Sequence, residues 1–297
     1  MRIIGKDITD KAFVATIGSF DGVHQGHMFM VRQVMEQAKM RGLASLVVTF
    51  SNHPLKVLRP DFQPQLLTLA EEKTDLLQQT GVDSIAVLEF TEELSQLSAL
   101  EFMQKILKQQ LNVEVLIIGY DNHFGHDHKS FADYVEYGKK LGITVLQNTE
   151  LQVNFKASST VVRNALNEGD IITANKVLGY SYYIKGKVIS GFHVGRKIGF
   201  PTANIEVDVD KLIPKNGVYC VKALDHIGMM NIGYRPTLDN GPQRSLEVHL
   251  LDFDGNLYGD EIKIEFLHFL REERKFDSID LLKQQLHHDE IECRKYC

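Results

Sequence analysis

The sequence lacks several features that would place it in other classes of protein. No hydrophobic run approaches the about 20 residues of a membrane span, and the first residues show no secretory signal with a small-residue cleavage site. The three cysteines, Cys220, Cys293 and Cys297, are odd in number and match neither a disulfide framework nor a zinc site. We therefore expect no membrane partner and a reducing, cytoplasmic location.

Excess positive charge is also missing. The chain of 297 residues carries a formal net charge of −6, which argues against nucleic acid as a partner. Its 43% hydrophobic and 24% charged residues are an ordinary composition for a globular protein with room for two domains. We expect small molecules as partners, and the sequence leaves a homo-oligomer open.

The first half of the chain alternates strand-like and helix-like segments. The run "LASLVVTF" (43–50) is typical of a buried parallel strand. The run "HMFMVRQVMEQAKMRG" (27–42) has apolar residues at helical spacing and ends on a glycine. Thr68 and Glu71 predict a capping box at another helix start. The alternation predicts an α/β, Rossmann-like domain over residues 1–180, with helices on both faces of a parallel sheet.

After about residue 180 the pattern changes to short strand candidates separated by Gly, Asn, Asp and Pro. Examples are "YYIKGKVISG" (182–191) and "SLEVHLLDF" (245–253). Their spacing predicts a small antiparallel barrel or sandwich over residues 181–297. The segment "SIDLLKQQLHHDEIECRKY" (278–296) predicts a C-terminal helix.

The stretch "GSFDGVHQGH" (18–27) falls between a predicted strand and a predicted helix. Ligands of open parallel sheets bind at such turns, and Gly22 and Gly26 let the backbone approach a ligand closely. His24 and His27 can donate hydrogen bonds to phosphate oxygens beside the helix N-terminus. Charge builds on an α-phosphate during nucleotidyl transfer, so we interpret both histidines as catalytic. The alternative makes them ordinary polar loop residues.

This stretch resembles the G-x-F-D-G-x-H-x-G-H signature of FMN adenylyltransferase modules, a branch of the HxGH nucleotidyltransferases. The resemblance implies that four more residues of the turn contribute to ATP and phosphate binding. They are Gly18, Phe20, Asp21 and Gly26.

The segment "KASSTVVRNAL" (156–166) resembles the second signature of the same modules. The hydroxyl residues Ser158, Ser159 and Thr160 begin a predicted helix that carries Arg163. Hydroxyls, helix N–H groups and a guanidinium suit the β- and γ-phosphates that leave as pyrophosphate. Taken alone, the segment is an ordinary helix cap. Family members usually carry arginine where Lys156 stands, so the charge is kept and the bidentate fork is lost.

The loop "GYDNHFG" (119–125) follows the most strand-like run in the chain. It resembles the family motif G-x-[DN]-F-x-F-G, which implies that Asn122 contributes to flavin binding. The nearby His123, His126 and His128 leave a metal site open as an alternative. The loop "FSNHP" (50–54) resembles another loop of the family, or is a turn ended by proline.

The second half contains the dense motif "GKVISGFHVGRKIGFPTANI" (186–205) and no Walker A pattern. Backbone N–H groups of a glycine-rich loop can cradle phosphates. The candidate residues for this role are Gly191, Gly195, Arg196 and Gly199. Thr202 and Asn204 follow on an extended segment, where period two puts their oxygens on one face, suited to Mg²⁺ and an ATP phosphate. From composition alone, a hairpin with a polar turn is the better explanation of the segment.

The motif resembles the riboflavin kinase signature G-x-V-x-x-G-x-x-x-G-R-x-x-G-F-P-T-A-N, and further family motifs follow it up to residue 289. The resemblance implies a β-barrel with Thr202 and Asn204 as ligands of Mg²⁺ and ATP. It also implies that Glu247 is the catalytic base for the 5′-hydroxyl of riboflavin. Arg271 matches a loop on the flavin side.

Together the two halves resemble bifunctional bacterial riboflavin kinase/FMN adenylyltransferases, also called FAD synthetases. The resemblance implies that riboflavin and ATP give FMN and ADP, and that FMN and ATP give FAD and pyrophosphate, with Mg²⁺ required. One alternative, a single-activity kinase with a drifted first domain, is kept open by Lys156. Glu247 and the "PTAN" segment argue against a flavin-binding regulator without turnover. The C-terminal motifs argue against an HxGH cytidylyltransferase with an unrelated partner domain.

Overall fold

The chain divides into two compact units, residues 1–157 and 158–297, which are described separately. The boundary between the two units therefore comes earlier in the chain than the boundary predicted at residue 180. None of the helices in the described residues is long and apolar enough to cross a membrane. The computed structural model describes residues 2–5, 11–59, 61, 65–119, 124–127, 129–148, 157–190, 199–235 and 243–296.

The first unit contains a six-stranded sheet in the order β1-β4-β3-β2-β5-β6. The strands are β1 (Arg2–Gly5), β2 (Phe13–Ile17), β3 (Ala44–Phe50), β4 (Ser84–Leu88), β5 (Val113–Ile118) and β6 (Thr144–Gln147). All neighbours are parallel except β1, which pairs with β4 in the antiparallel sense. The predicted α/β fold is confirmed, and the short edge strand β1 was not predicted because four residues carry too little pattern.

Helices cover both faces of this sheet, which explains why its strands are apolar without alternation. They are α1 (Gln25–Arg41), α2 (Pro54–Leu58), α3 (Ala70–Gln79), α4 (Glu92–Ser95), α5 (Ala99–Phe102), a π-helix (Met103–Gln110) and α6 (Phe131–Leu141). Val14 packs with Val34 and Ala38 of α1, while its neighbour Ala15 belongs to the core on the opposite face. Strands buried on both faces need apolar residues at every position.

The prediction of a capping box at Thr68 and Glu71 is wrong, because the helix cap lies one residue later, at Leu69 and Glu72. Leu69 precedes the first residue of α3, and its N–H donates to Glu72 Oε2 at 2.9 Å. The hydroxyl of Thr68 instead donates to Asp21 and accepts from Gly22. A long-range contact has therefore displaced the local cap that the sequence pattern favoured.

The second unit begins with α7 (Ser159–Glu168) and α8 (Ile171–Leu178) and continues into a closed six-stranded barrel. Its strands are β7 (Tyr183–Ile189), β8 (Ala203–Glu206), β9 (Gly217–Ala223), β10 (His226–Arg235), β11 (Gln243–Leu250) and β12 (Glu261–Arg271). They close antiparallel in the order β10-β11-β8-β7-β12-β9. The predicted barrel is confirmed, and so is the C-terminal helix α9 (Ile279–Cys293).

Alternation along β11 separates the barrel interior from a polar face. Val248 is 1% exposed and Leu246 and Leu250 are also buried, as expected for side chains that fill a small barrel. Glu247 lies between these residues and therefore takes the other face of the strand. The packing that fixes the register of β11 thus also fixes which way this carboxylate is presented.

Candidate active sites

The turn after β2 is held in a strained backbone conformation. Phe20, Gly22 and Val23 all have positive φ angles, of 50°, 82° and 36°. The buried carboxylate of Asp21 accepts hydrogen bonds from the backbone N–H of Leu67 at 3.2 Å and of Thr68 at 2.9 Å. Strain of this kind persists where the surrounding structure over-determines it, often at functional sites. Asp21 thus holds the turn in place, and its direct role in ATP binding stays a prediction.

His24 and His27 lie together at the start of α1. The rings are stacked with centroids 3.7 Å apart, and His24 Nδ1 accepts a hydrogen bond from the His27 N–H at 3.4 Å. A Cβ on Gly26 would lie 3.2 Å from the His24 ring and from the carbonyl oxygen of Ala157. A side chain at residue 26 would therefore crowd the histidine pair, which gives the second glycine of the motif a steric reason.

The ring of His27 is neutral at pH 7. Burial lowers its pKa well below 6.5, and the charges of His24 and Lys73 lower the pKa further. Its Nδ1 atom is buried and has no hydrogen-bond partner among the described residues. A neutral imidazole still provides one N–H donor, so His27 can bind a phosphate oxygen by hydrogen bonding without a full positive charge.

Gly18 follows the last residue of β2, and its N–H donates to the Val48 carbonyl at 3.1 Å.

The second signature begins a helix as predicted. Ser158 is the N-cap of α7, and its side chain accepts a hydrogen bond from the Val161 N–H at 3.4 Å. Ser159 and Thr160 form the first turn, and Arg163 is half-buried further along the helix. The ordinary capping interaction is thus present, and the roles of these residues with pyrophosphate stay predictions.

Several predicted site residues lie outside the described part of the chain. These are Asn122, His123, His128, Lys156, Gly191, Gly195 and Arg196. Gly199 is described and has a φ of 87°, as a glycine in a turn adopts readily. Within the described ranges, no group of three or more His, Cys, Asp or Glu side chains could hold a metal ion.

The barrel brings the predicted kinase residues together from separate segments. Glu247 on β11 lies directly opposite Asn204 on β8 in the antiparallel register, so both side chains take the same face. Thr202 Oγ1 donates to Glu247 Oε2 at 3.4 Å, and Ser245 Oγ donates to Glu247 Oε1 at 3.1 Å. Each carboxylate oxygen therefore has a hydroxyl partner, which fixes the orientation of the carboxylate. The sequence analysis did not identify Ser245.

A cleft of about 290 Å³ has Thr202 of this group in its lining, but not Glu247, Asn204 or Ser245. Its lining includes Thr202, Ala203 and Val248, together with Phe253 and residues 255–258. The cleft combines an apolar wall with the hydroxyl of Thr202, as sites for small ligands commonly do. No role was predicted from the sequence for Phe253 or residues 255–258.

His249 takes a structural position beside this group. Its Nδ1 lies 2.7 Å from the carbonyl oxygen of Pro201, and its ring meets the edge of Phe200 at a centroid distance of 5.3 Å. These contacts tie β11 to the segment that precedes Thr202. They therefore help to hold Thr202 near Glu247.

Arg271 has a structural partner that the sequence did not reveal. Its guanidinium donates to both carboxylate oxygens of Asp289, with Nη2 2.7 Å from Oδ2. Asp289 lies on α9 and is 2% exposed. The pair therefore attaches the C-terminal helix to the end of β12, and the predicted flavin contact of Arg271 stays a prediction.

Replacing Asp289 with alanine should reduce the unfolding free energy of the second unit by about 3 kcal/mol, because a half-buried guanidinium loses its bidentate partner. Urea unfolding followed by tyrosine fluorescence measures this, since the chain has no tryptophan. Glu292→Ala is the matched control, because Glu292 pairs with Lys295 at the surface and should change stability by less than about 0.5 kcal/mol. Equal effects of the two variants would contradict the structural role of Asp289.

Comparison with known proteins matches both units to enzyme families. Residues 6–161 match the family described as FAD synthetase, and residues 178–297 match riboflavin kinase. A bifunctional riboflavin kinase/FMN adenylyltransferase of Listeria monocytogenes is 39% identical, covering 97% of this chain and 93% of that protein. The protein of the same description from Bacillus subtilis is 38% identical, covering 95% and 92%.

A solved structure agrees over the whole length. A crystal structure described as a macrolide-efflux protein from Streptococcus pneumoniae has a TM-score of 0.88 and 30% sequence identity, covering 97% of this chain and 96% of that one. The family matches and the descriptions of the curated relatives agree with each other. The chain belongs to the family of bifunctional riboflavin kinase/FMN adenylyltransferases.

Proposed function

We propose that this chain makes flavin cofactors in two ATP-dependent steps. The barrel transfers the γ-phosphoryl group of ATP to riboflavin and gives FMN and ADP. The α/β unit transfers AMP from ATP to FMN and gives FAD and pyrophosphate. The observation that carries the proposal is the convergence of Glu247, Thr202 and Asn204 on one face of the barrel, together with the stacked His24 and His27 at a helix start.

Glu247 is the proposed general base of the kinase step. The ribityl 5′-hydroxyl of riboflavin is a poor nucleophile, and a carboxylate can accept its proton as the γ-phosphoryl group transfers. The proton moves from the hydroxyl to Glu247, and ADP leaves with the electron pair of the broken P–O bond. Ser245 and Thr202 hold the carboxylate through its two oxygens.

Mg²⁺ suits the donors on this face. Asn204 and Thr202 offer an amide oxygen and a hydroxyl beside a carboxylate, and Mg²⁺ prefers such oxygen ligands together with phosphate oxygens and water. Asn204 is buried, with 6% of its surface exposed. When bound, the ion would neutralise charge on the ATP phosphates.

Removing the hydroxyl of Ser245 should weaken the kinase through Glu247. Ser245→Ala loses one hydrogen bond of about 1 kcal/mol, which corresponds to roughly a fivefold fall in kcat, with the KM for riboflavin unchanged. Ser245→Thr keeps a hydroxyl and should restore most of the rate. Steady-state FMN production measures both variants, and equal rates for wild type and Ser245→Ala would contradict the orienting role.

The adenylyltransferase step needs positioning rather than a base. The phosphate of FMN is already an anion at neutral pH, so it can attack the α-phosphorus of ATP without losing a proton to the protein. His24 and His27, stacked at the start of α1, would supply the N–H donors that stabilise charge on the α-phosphate. The N-terminus of α1 adds its positive dipole end at the same place.

Supplying each substrate separately tests the proposal. With riboflavin and ATP the chain should release ADP, and with FMN and ATP it should release pyrophosphate. A flavin-binding regulator would release neither, and a single-activity kinase would release ADP alone. The cytoplasmic location expected from the cysteines stays a prediction, as does the oligomeric state.

A further inference from the structure

Lys73 is a buried cation that lines a cavity together with Ser19 and Asp21 of the turn that precedes the histidine pair. It lies near the start of α3, is 8% exposed, and donates a hydrogen bond of 2.6 Å to the carbonyl oxygen of Phe50 at the end of β3. Lysine is rarely buried, because removing an ammonium from water is costly unless the charge is compensated. The charge of Lys73 also lowers the pKa of His27, after burial and the charge of His24.

The ammonium of Lys73 has donors to spare. It carries three N–H groups, and its one hydrogen bond within the described part of the chain is to Phe50. Asp21 is a nearby carboxylate, but its oxygens accept from Leu67 and Thr68. Asp21 favours the charged form of Lys73, while burial lowers the lysine pKa to about 8. The group is therefore mostly protonated at pH 7.

Lys73 lines a small cavity at the carboxyl ends of β2 and β3. The cavity has a volume of about 20 Å³, enough for roughly one water-sized group. The amide of Asn52, which also lines it, is committed to the backbone N–H and carbonyl of Phe90 at 2.8 and 2.9 Å. Among the described residues that line this cavity, Lys73 is the one lysine or arginine. The space next to Lys73 therefore fits a single oxygen atom.

We propose that Lys73 binds a phosphate oxygen of a substrate in the adenylyl-transfer site. Adenylyl transfer brings an anionic phosphate of FMN against the anionic triphosphate of ATP, so a fixed cation beside them stabilises the approach and the transition state. The neutral His27 cannot supply that charge. This inference rests on the proposed adenylyltransferase function, and the oxygen belongs to either FMN or ATP.

Two variants of the full chain test the proposal. Lys73→Met keeps the length of the side chain and removes the charge, whereas Lys73→Arg keeps the charge. Lys73→Met loses a hydrogen bond from a charged group. Its kcat/KM for FAD formation should therefore fall by about tenfold to a hundredfold. FMN formation from riboflavin should remain unchanged in both variants, because it uses the other unit.

The source of the oxygen follows from which parameter changes. A rise in the KM for FMN assigns it to the FMN phosphate. A rise in the KM for ATP assigns it to the phosphate chain of ATP. A fall in kcat with both KM values unchanged supports a contact of Lys73 that forms only in the transition state. FAD formation by folded Lys73→Met within threefold of wild type would overturn the proposal. Absence of FAD formation by the wild type would instead overturn the proposed function itself.

A pH profile separates charge from mere packing. Wild-type kcat/KM for FAD formation should fall above about pH 8, as Lys73 with its pKa of about 8 loses its proton. The side chain introduced by Lys73→Arg stays protonated, so this variant should keep its rate to higher pH. The other titratable groups around it, Asp21, His27 and His53, are the same in both proteins. The same alkaline fall in both proteins would overturn the proposal, even if Lys73→Met did not fold.

Discussion

Replacing Glu247 with glutamine should lower the rate of FMN formation by about 10²–10⁴-fold, the usual contribution of a general base. Glutamine keeps the volume and one acceptor oxygen, so the hydrogen bond from Ser245 or Thr202 can persist. What is lost is the ability to accept the proton of the 5′-hydroxyl. Steady-state FMN production from riboflavin and ATP measures the effect.

Two controls accompany this variant. FAD formation from supplied FMN should continue at the wild-type rate, because Glu247 lies in the barrel and that reaction uses the α/β unit. Glu261→Gln changes an exposed glutamate of the same barrel and should leave both reactions unchanged. A loss of less than about threefold in folded Glu247→Gln would remove Glu247 from the mechanism.

Replacing His27 with alanine should lower the rate of FAD formation by about 10²–10³-fold, the cost of one preorganised donor at a developing charge. The His27 ring is held by its stack on His24 and by the edge of Phe20 at 5.0 Å, so its donor is fixed before substrate binds. FMN formation should stay near the wild-type rate. An equal loss of both activities in a folded variant would contradict the assignment of two separate sites.

The acid stability of the same variant gives a second readout. His27 is neutral in the fold because burial lowers its pKa, whereas in the unfolded chain it takes up a proton below about pH 6.5. Proton binding to the unfolded state therefore reduces wild-type stability as the pH falls below that value. Alanine removes this dependence. Wild type should therefore lose stability relative to His27→Ala as the pH falls from 7 to 5.

Local patterns predicted the sites only as separate pieces. Glycine and histidine spacing placed His24 and His27 at a strand–helix turn, and the structure has them there because Gly26 leaves room for the pair. The partnership of Glu247 with Asn204 depends on the pairing of β11 with β8. Strand register between distant segments is not written in either segment alone, so only the resemblance placed both residues in one site.

The misses have a common physical cause in long-range contacts. Thr68 had a favourable local pattern for a helix cap, yet its hydroxyl is used by Asp21 and Gly22. Arg271 matched a loop on the flavin side, and its ion pair with Asp289 on the C-terminal helix could not be predicted from the sequence. Lys73 gave no sequence signal, since a lysine in an amphipathic helix usually faces water.

The most direct test of the central claim is a time course of flavins made by the purified chain. Riboflavin, ATP and Mg²⁺ are mixed with the protein, and riboflavin, FMN and FAD are separated at intervals. Two successive reactions in one chain predict that FMN appears first and FAD follows as FMN becomes available. Accumulation of FMN without FAD, or no conversion of riboflavin, would contradict the claim.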